Sequence, residues 1–226
     1  MENEKFVAII GDIIDSKNIK NRSKAQKSLN DVLDRVNESY KEHIKSKWTI
    51  TLGDEFQVLL KPNLEIFKIL DYISYKMDPI NIRFGIGLGE IYTDINHEVS
   101  LGSDGPAYWN ARDAIESIHS NNNYGMSKIS FKSEDNKDEI VNNLIYYTDW
   151  MKASWTDSQK EVLYRLLEKD IYDNNFKQKD LAIELGISES AVSRRISSSG
   201  IRLYLSSRNS IAKEIVTKER LNTRNP

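Results

Sequence analysis

The sequence predicts an α+β fold, a sheet module followed by a smaller all-helical one, and three observations carry that prediction. Apolar residues alternate with polar ones over 48–52, 56–60 and 80–88, the period of half-buried strands, and between these runs they recur at helical spacing. Charge divides along the chain: Met1–Trp150 holds 18 Lys and Arg against 24 Asp and Glu, whereas Met151–Pro226 holds 14 against 10. Only the last part therefore suits a polyanion. Within it, two short helical patterns flank a glycine, the spacing of helices that meet at a tight turn.

The elements follow in order. Phe6-Val-Ala-Ile-Ile10 is a short apolar run ending at Gly11-Asp12 and reads as a buried strand. Over about 22–44, Ala25, Leu29, Val32, Val36, Tyr40 and Ile44 mark a helix. Trp48, Ile50 and Leu52, then Phe56, Val58 and Leu60, form two strands around Gly53-Asp54. Glycine at the first central position suits a two-residue type II′ hairpin, which puts Asp54 at an exposed tip. Pro62 opens a helix through Leu64, Phe67, Leu70, Ile73 and Met77, and Pro79 closes it. Ile80, Ile82, Phe84, Ile86 and Leu88 form a strand whose other face carries Arg83, Gly85, Gly87 and Gly89, so something approaches that backbone closely. The loop Leu101–Pro106 leads into a helix of about Ala107–His119, and Tyr124–Lys132 reads as a last strand. The order β-α-β-β-α-β is the split ferredoxin-like plan, an antiparallel sheet with helices on one face. Residues 1–133 make that module, 134–153 a linker or connecting helix, and 154–226 the helical module.

Composition narrows the chemistry. With no cysteine, disulfide scaffolds, thiolate zinc sites and a cysteine nucleophile are excluded. The only histidines, His43, His97 and His119, are widely spaced. Metal chemistry would fall to carboxylates, which favour hard ions such as Mg²⁺ or Mn²⁺. No apolar run approaches the ~20 residues of a membrane span, and the start has no basic segment followed by an apolar signal core, so no membrane partner and a cytoplasmic location are expected.

In the predicted plan, Asp12 at the end of the first strand and Asp54 at the hairpin tip converge on one edge of the sheet. Like charges brought together repel unless a cation lies between them. The segment Ile13-Ile-Asp-Ser-Lys17 offers backbone N–H groups, the Ser16 hydroxyl and the Lys17 charge to a phosphate, with Asp15 between. Turn chemistry alone also explains either aspartate singly. Gly11-Asp12-Ile13 and Leu52-Gly53-Asp54-Glu55-Phe56 resemble the metal-binding strand end and hairpin of class III nucleotidyl cyclases and GGDEF diguanylate cyclases. Arg83 to Ile91 resembles the following cyclase strand, and Gly105 to Arg112 the helix that carries a catalytic arginine. With the C-terminal module included, the whole chain is similar to the SatD family of bacterial proteins. The cyclase resemblance implies that Asp12 and Asp54 bind metal with help from the Ile13 carbonyl, and that Arg112 steadies triphosphate charge. Tyr108 stands where cyclases place a ribose-orienting Asn, and Ile50 where adenylyl cyclases place a base-reading Lys.

In the helical module, Thr156 or Asp157 caps a helix through Val162, Leu163, Leu166 and Leu167. From Gln178 to Ile196, Ala182 is small where helices cross, Gly186 supplies the positive φ of a tight turn, and Ser188 caps the next helix. This resembles the helix-turn-helix of bacterial regulators. The second helix would enter the major groove of double-stranded DNA with Ser188, Glu189, Ser190, Ser193, Arg194, Arg195 and Ser197 available to it. Ile201 to Val216 suggests a further helix that pairs subunits, giving a homodimer.

Two functional readings follow. In one, a cyclase-like domain binds a nucleotide (a purine triphosphate or derivative) with Mg²⁺, and the helix-turn-helix binds DNA to regulate transcription. In the other, the chain is an active nucleotidyl cyclase or related nucleotide-processing enzyme with a partner-binding tail.

Overall fold

The computed structural model describes residues 4–121, 127–134 and 138–221. The chain is α+β, with a five-stranded mixed sheet and eight α-helices among those residues. Strands β1 (Phe6–Ile13), β2 (Ile44–Leu52), β3 (Glu55–Leu60), β4 (Ile82–Gly89) and β5 (Ile129–Lys132) lie in the order β2-β3-β1-β4-β5. β1 is central and antiparallel to both neighbours, whereas β5 joins β4 in parallel. The start of the expected last strand falls at 124–126, outside the described residues. No helix is long and apolar enough to cross a membrane among the described residues.

Helices cover both faces of the sheet, not one as the sequence plan has it. α1 (Arg22–Ser39) and α2 (Ile66–Met77) bury Leu29, Val32, Val36, Ile69 and Leu70 against Val7, Ile9, Val58 and Leu60. α3 (Pro106–Asn121) packs on the opposite face, against Phe6, Ala8, Ile10 and Leu59. The glycines of β4 let it do so. A Cβ on Gly87 would lie 2.1 Å from the Ala107 carbonyl oxygen, and one on Gly85 2.2 Å from that of Ala111. The close approach expected at that backbone is α3.

α1 ends at Ser39, and Ile44 belongs to β2 instead of continuing the helix. The second helix starts at Ile66, because Asn63 Oδ1 first accepts the Glu65 N–H at 2.8 Å and holds a turn after Pro62. Gly53 has φ +63°, as the hairpin requires.

α4 (Asp138–Ala153) occupies the stretch expected as a linker or connecting helix, and Val141, Ile145, Thr148, Asp149 and Met151 on it are buried. It packs between β5 and α8 (Ile201–Leu221), and one continuous apolar core runs from the sheet through α4 into α5 (Asp157–Glu168) and α8. α6 (Gln178–Leu185) and α7 (Glu189–Ser199) complete the helical part. Tyr204, Leu205, Ile211 and Ile215 of α8, expected to pair subunits, are buried within this chain against α4 and α2. Leu203 of the same helix points outward, 56% exposed.

Candidate functional site

Two places gather the side chains singled out from the sequence. The first is the end of the sheet where β1 finishes. Register sets Asp12 opposite Glu55 on β3 and Arg83 on β4. By strand alternation Asp12 shares the face of Ala8 and Ile10, the α3 side. There the half-buried carboxylate Oδ2 accepts from Arg83 Nη2 at 2.6 Å, with His119 Nε2 of α3 at 3.6 Å. Beside it, Arg112 of α3 grips Glu55 with both guanidinium nitrogens, one at 2.9 Å from Oε1. Thr51 Oγ1 donates to the same carboxylate at 3.2 Å. The Arg112 hydrogen bond and charge, outweighing partial burial, hold Glu55 below the usual carboxylate range.

Asp54 turns the other way, toward α1. Its carboxylate accepts the hydroxyl of buried Ser16, and its carbonyl accepts the Ile13 N–H at 3.3 Å. Gln26 Nε2 clamps the neighbouring Gly53 carbonyl at 2.7 Å. Asp15 sits at φ +54° and starts a single 3₁₀ turn over Ser16–Asn18, and Lys17 is exposed. Asp12 and Asp54 thus belong to one end of the sheet but face different partners. Two carboxylates and a strand carbonyl are hard oxygen donors of the kind Mg²⁺ takes; a guanidinium and a hydroxyl hold the carboxylates in this arrangement. No group of three or more His, Asp or Glu side chains suited to a metal occurs among the described residues. Of the aromatics beside Arg112, Tyr108 is buried, while Trp109 is half exposed and donates from Nε1 to Asp104 at 2.7 Å.

The second place is the α6–α7 corner. Gly186 closes α6 at φ +63°, and the N–H of Ile187 returns to the Ala182 carbonyl at 3.1 Å, so Ala182 is buried where the helices cross. Ser188 caps α7, its Oγ accepting the Ala191 N–H at 3.2 Å. Val192 and Ile196 bury one side of α7 against α5 and α6. Ser188, Glu189, Ser190, Arg194 and Ser197 are exposed on the other, with Ser193 half-buried between. Arg195 is not on that open face: its guanidinium pairs with Glu161 of α5 at 2.8 Å.

A third cluster carries no motif. Asp71, Lys152, Tyr172, Tyr204, Asp149 and Arg208 form a buried network between sheet and C-terminal helices. Its signal in the sequence is a charge on an apolar helical stripe: Asp71 between Leu70 and Ile73, and Arg208 between Leu205 and Ile211.

A model of the SatD family matches residues 6–216, nearly the whole chain, and the protein belongs to that family. No curated protein matches it.

Proposed function

We propose that this SatD-family chain is a DNA-binding regulator in which α6 and α7 form a helix-turn-helix and α7 is the reading helix. The observation that carries it is the division of α7: Val192 and Ile196 are buried, while Ser188, Glu189, Ser190, Arg194 and Ser197 form an open polar edge at its N-terminal half and middle. A reading helix presents that kind of edge to bases and phosphates, and Arg194 is its one arginine free of an ion pair among the described residues. The test is fluorescence anisotropy of the full chain on duplex DNA at several salt concentrations. Binding should weaken with salt, and Arg194→Ala should lower affinity, about 1–3 kcal/mol if the contact is to a base. Affinity that neither salt nor Arg194→Ala changes rejects the reading.

A second reading is metal-dependent nucleotide binding at the end of β1, in a ferredoxin-like, cyclase-like sheet. Supporting it are the strand order β2-β3-β1-β4 with β1 antiparallel to both neighbours, and the convergence of the Ser16 hydroxyl and Ile13 N–H on Asp54. Asp12, Asp54 and the Ile13 carbonyl would hold Mg²⁺ or Mn²⁺, which when bound offsets phosphate charge. For this, Arg83 must release Asp12, and Asp54 must turn from Ser16. Calorimetry with ATP and GTP, with and without Mg²⁺, followed by chromatography of the products, tests it. Mg²⁺-dependent binding without product describes a sensor, a phosphodiester product lost in Asp54→Asn describes an enzyme, and no binding ends the reading.

A further inference from the structure

Between the foot of the sheet and α5 lies a cavity of about 250 Å³ that neither site above uses. The end of α2, the first residues of β4 and β5, the end of α4 and the inner side of α5 wall it. Its volume is just below the ~300 Å³ at which pockets for drug-sized ligands begin, so it has room for a single ring with one substituent.

The lining divides by chemistry. Ile82, Phe84, Trp155 and Leu163 are apolar, and Tyr164 stands beside them, its ring stacked on that of Tyr75 at 4.1 Å between centroids. Two carboxylates reach the inner wall, and both are already satisfied. Asp71 accepts from Lys152 at 2.6 Å, Tyr172 at 2.5 Å and Tyr204 at 2.6 Å. Asp149 is paired with Arg208 and accepts the backbone N–H groups of Lys128 and Ile129 at 2.8 and 3.1 Å.

The cations toward the mouth are not satisfied to the same degree. Lys128 donates to an uncharged acceptor, Asn81 Oδ1 at 2.5 Å. Lys160 reaches only the fully exposed Asp157, at 3.5 Å. Asp78, exposed at the rim, is the one further carboxylate in the lining. Both lysines thus face the mouth with only exposed acids near them, Asp157 beside Lys160 and Asp78 at the rim, and neither ammonium is held by a buried carboxylate. The Lys128 ammonium is pushed below its ordinary range, first by burial and then by the like charge of Lys152, with Lys160 adding to it and Asp149 and Asp78 opposing.

An apolar, aromatic wall with convergent cations at one end fits an amphiphilic anion. We propose that this cavity binds a small aromatic anion, a carboxylate or phosphomonoester on a single ring, with Lys128 and Lys160 on the anionic group and the ring against Tyr164. Because the sheet and α5 supply opposite walls, an occupant fastens the helices that carry α7 to the sheet. That consequence for DNA rests on the DNA-binding reading; the pocket itself does not.

Calorimetry on the full chain without DNA tests the pocket, with benzoate and phenyl phosphate as the two anion probes and benzamide as the uncharged analogue. We expect one saturable site for at least one anion and none for benzamide. Affinity should fall about tenfold in Lys128→Met and in Lys160→Met, which keep the apolar stem and lose one charged hydrogen bond. Ala153→Trp, filling the exposed rim, should abolish binding while leaving both lysines. Absence of saturable binding by either anion, equal binding of benzamide, or unchanged affinity in both lysine variants overturns the proposal. If an anion binds but DNA affinity is the same with and without it, the pocket stands and the link to α7 falls.

Discussion

Asp12–Arg83 at the end of the sheet and Asp71–Lys152 with Arg208–Asp149 beneath it are built from the same residue types, and their surroundings make them different objects. The first pair is half-buried, with each side chain 18% exposed, and Glu55–Arg112 beside it is more open still. In the second, Asp71 and Arg208 are out of reach of water, and Arg208 also lies over the rings of Phe67 and Tyr204 at 4.8 and 5.2 Å. A pair that keeps water can exchange partners at little cost. A buried network cannot, because any charge left behind has no solvent to turn to. The comparison separates a place where ligand exchange is feasible from a place that welds sheet to helices.

The strongest way to break that contrast is to strand a charge in the core. Asp149→Ala leaves the Arg208 guanidinium buried without its carboxylate and also uncaps two N–H groups of β5 and its approach. We expect a loss of about 3–5 kcal/mol in urea unfolding, the range for breaking a buried pair. Asp71 gives the same contrast a pH signature. Burial alone would raise its carboxyl, but Lys152 and Arg208 outweigh it and hold the group below the ordinary value. A carboxyl depressed in the folded state contributes stability above its unfolded pKa, about 3.9, and loses it as pH falls through the lower folded value. Unfolding midpoints should therefore drop below about pH 4, and Asp71→Asn, less stable at neutral pH, should flatten that limb.

Much of the sheet is legible in the sequence, for reasons that sit in particular residues. The Gly85, Gly87 and Gly89 face announced a close neighbour, and Gly186 with Ser188 announced a helix end and a helix start. The run Phe6–Ile10, apolar at every position, carries the mark of a strand buried on both sides, so the second layer of helix was readable there too. What could not be read is who answers whom across strands. Arg83 meets Asp12 only because the β1–β4 register puts them opposite, and Asp54 turns from Asp12 because Ser16 takes it first. Likewise Glu55, which alternates to the opposite face from Asp54, is the residue that holds Arg112.

A Cβ at Gly87 sharpens the comparison from the side of packing. It would sit 2.1 Å from one carbonyl oxygen and 2.3 Å from the Ala111 nitrogen, both in α3 backbone that cannot swing aside as a flexible side chain does. Gly87→Ala should cost about 1–3 kcal/mol by overpacking, and it should lift the helix that carries Arg112 and His119. Crosspeaks of those two side chains should shift more than any in α7. By contrast, Arg112→Met removes a pair that water can replace on both sides. We expect no more than about 1 kcal/mol by chemical unfolding, since exposed pairs seldom contribute more.

The smallest effect is expected at Arg195–Glu161, where the pair lies at the rim, 24% and 50% exposed. A double-mutant cycle to alanine should return a coupling of about 0.2–1 kcal/mol. What makes it informative is its neighbour Arg194, which has no such tie. If Arg195 only buttresses α7 against α5, then Glu161→Ala changes stability slightly and leaves DNA affinity alone. If Arg195 also serves the proposed DNA-binding edge, Glu161→Ala releases its guanidinium and removes a negative charge from beside it. Affinity should then rise, and the salt dependence should steepen by about one phosphate contact. The Arg194→Ala background separates the outcomes, because a released Arg195 still responds to salt there and a buttress does not. An ion pair too weak to matter for folding thereby reports whether this face of α7 meets a polyanion.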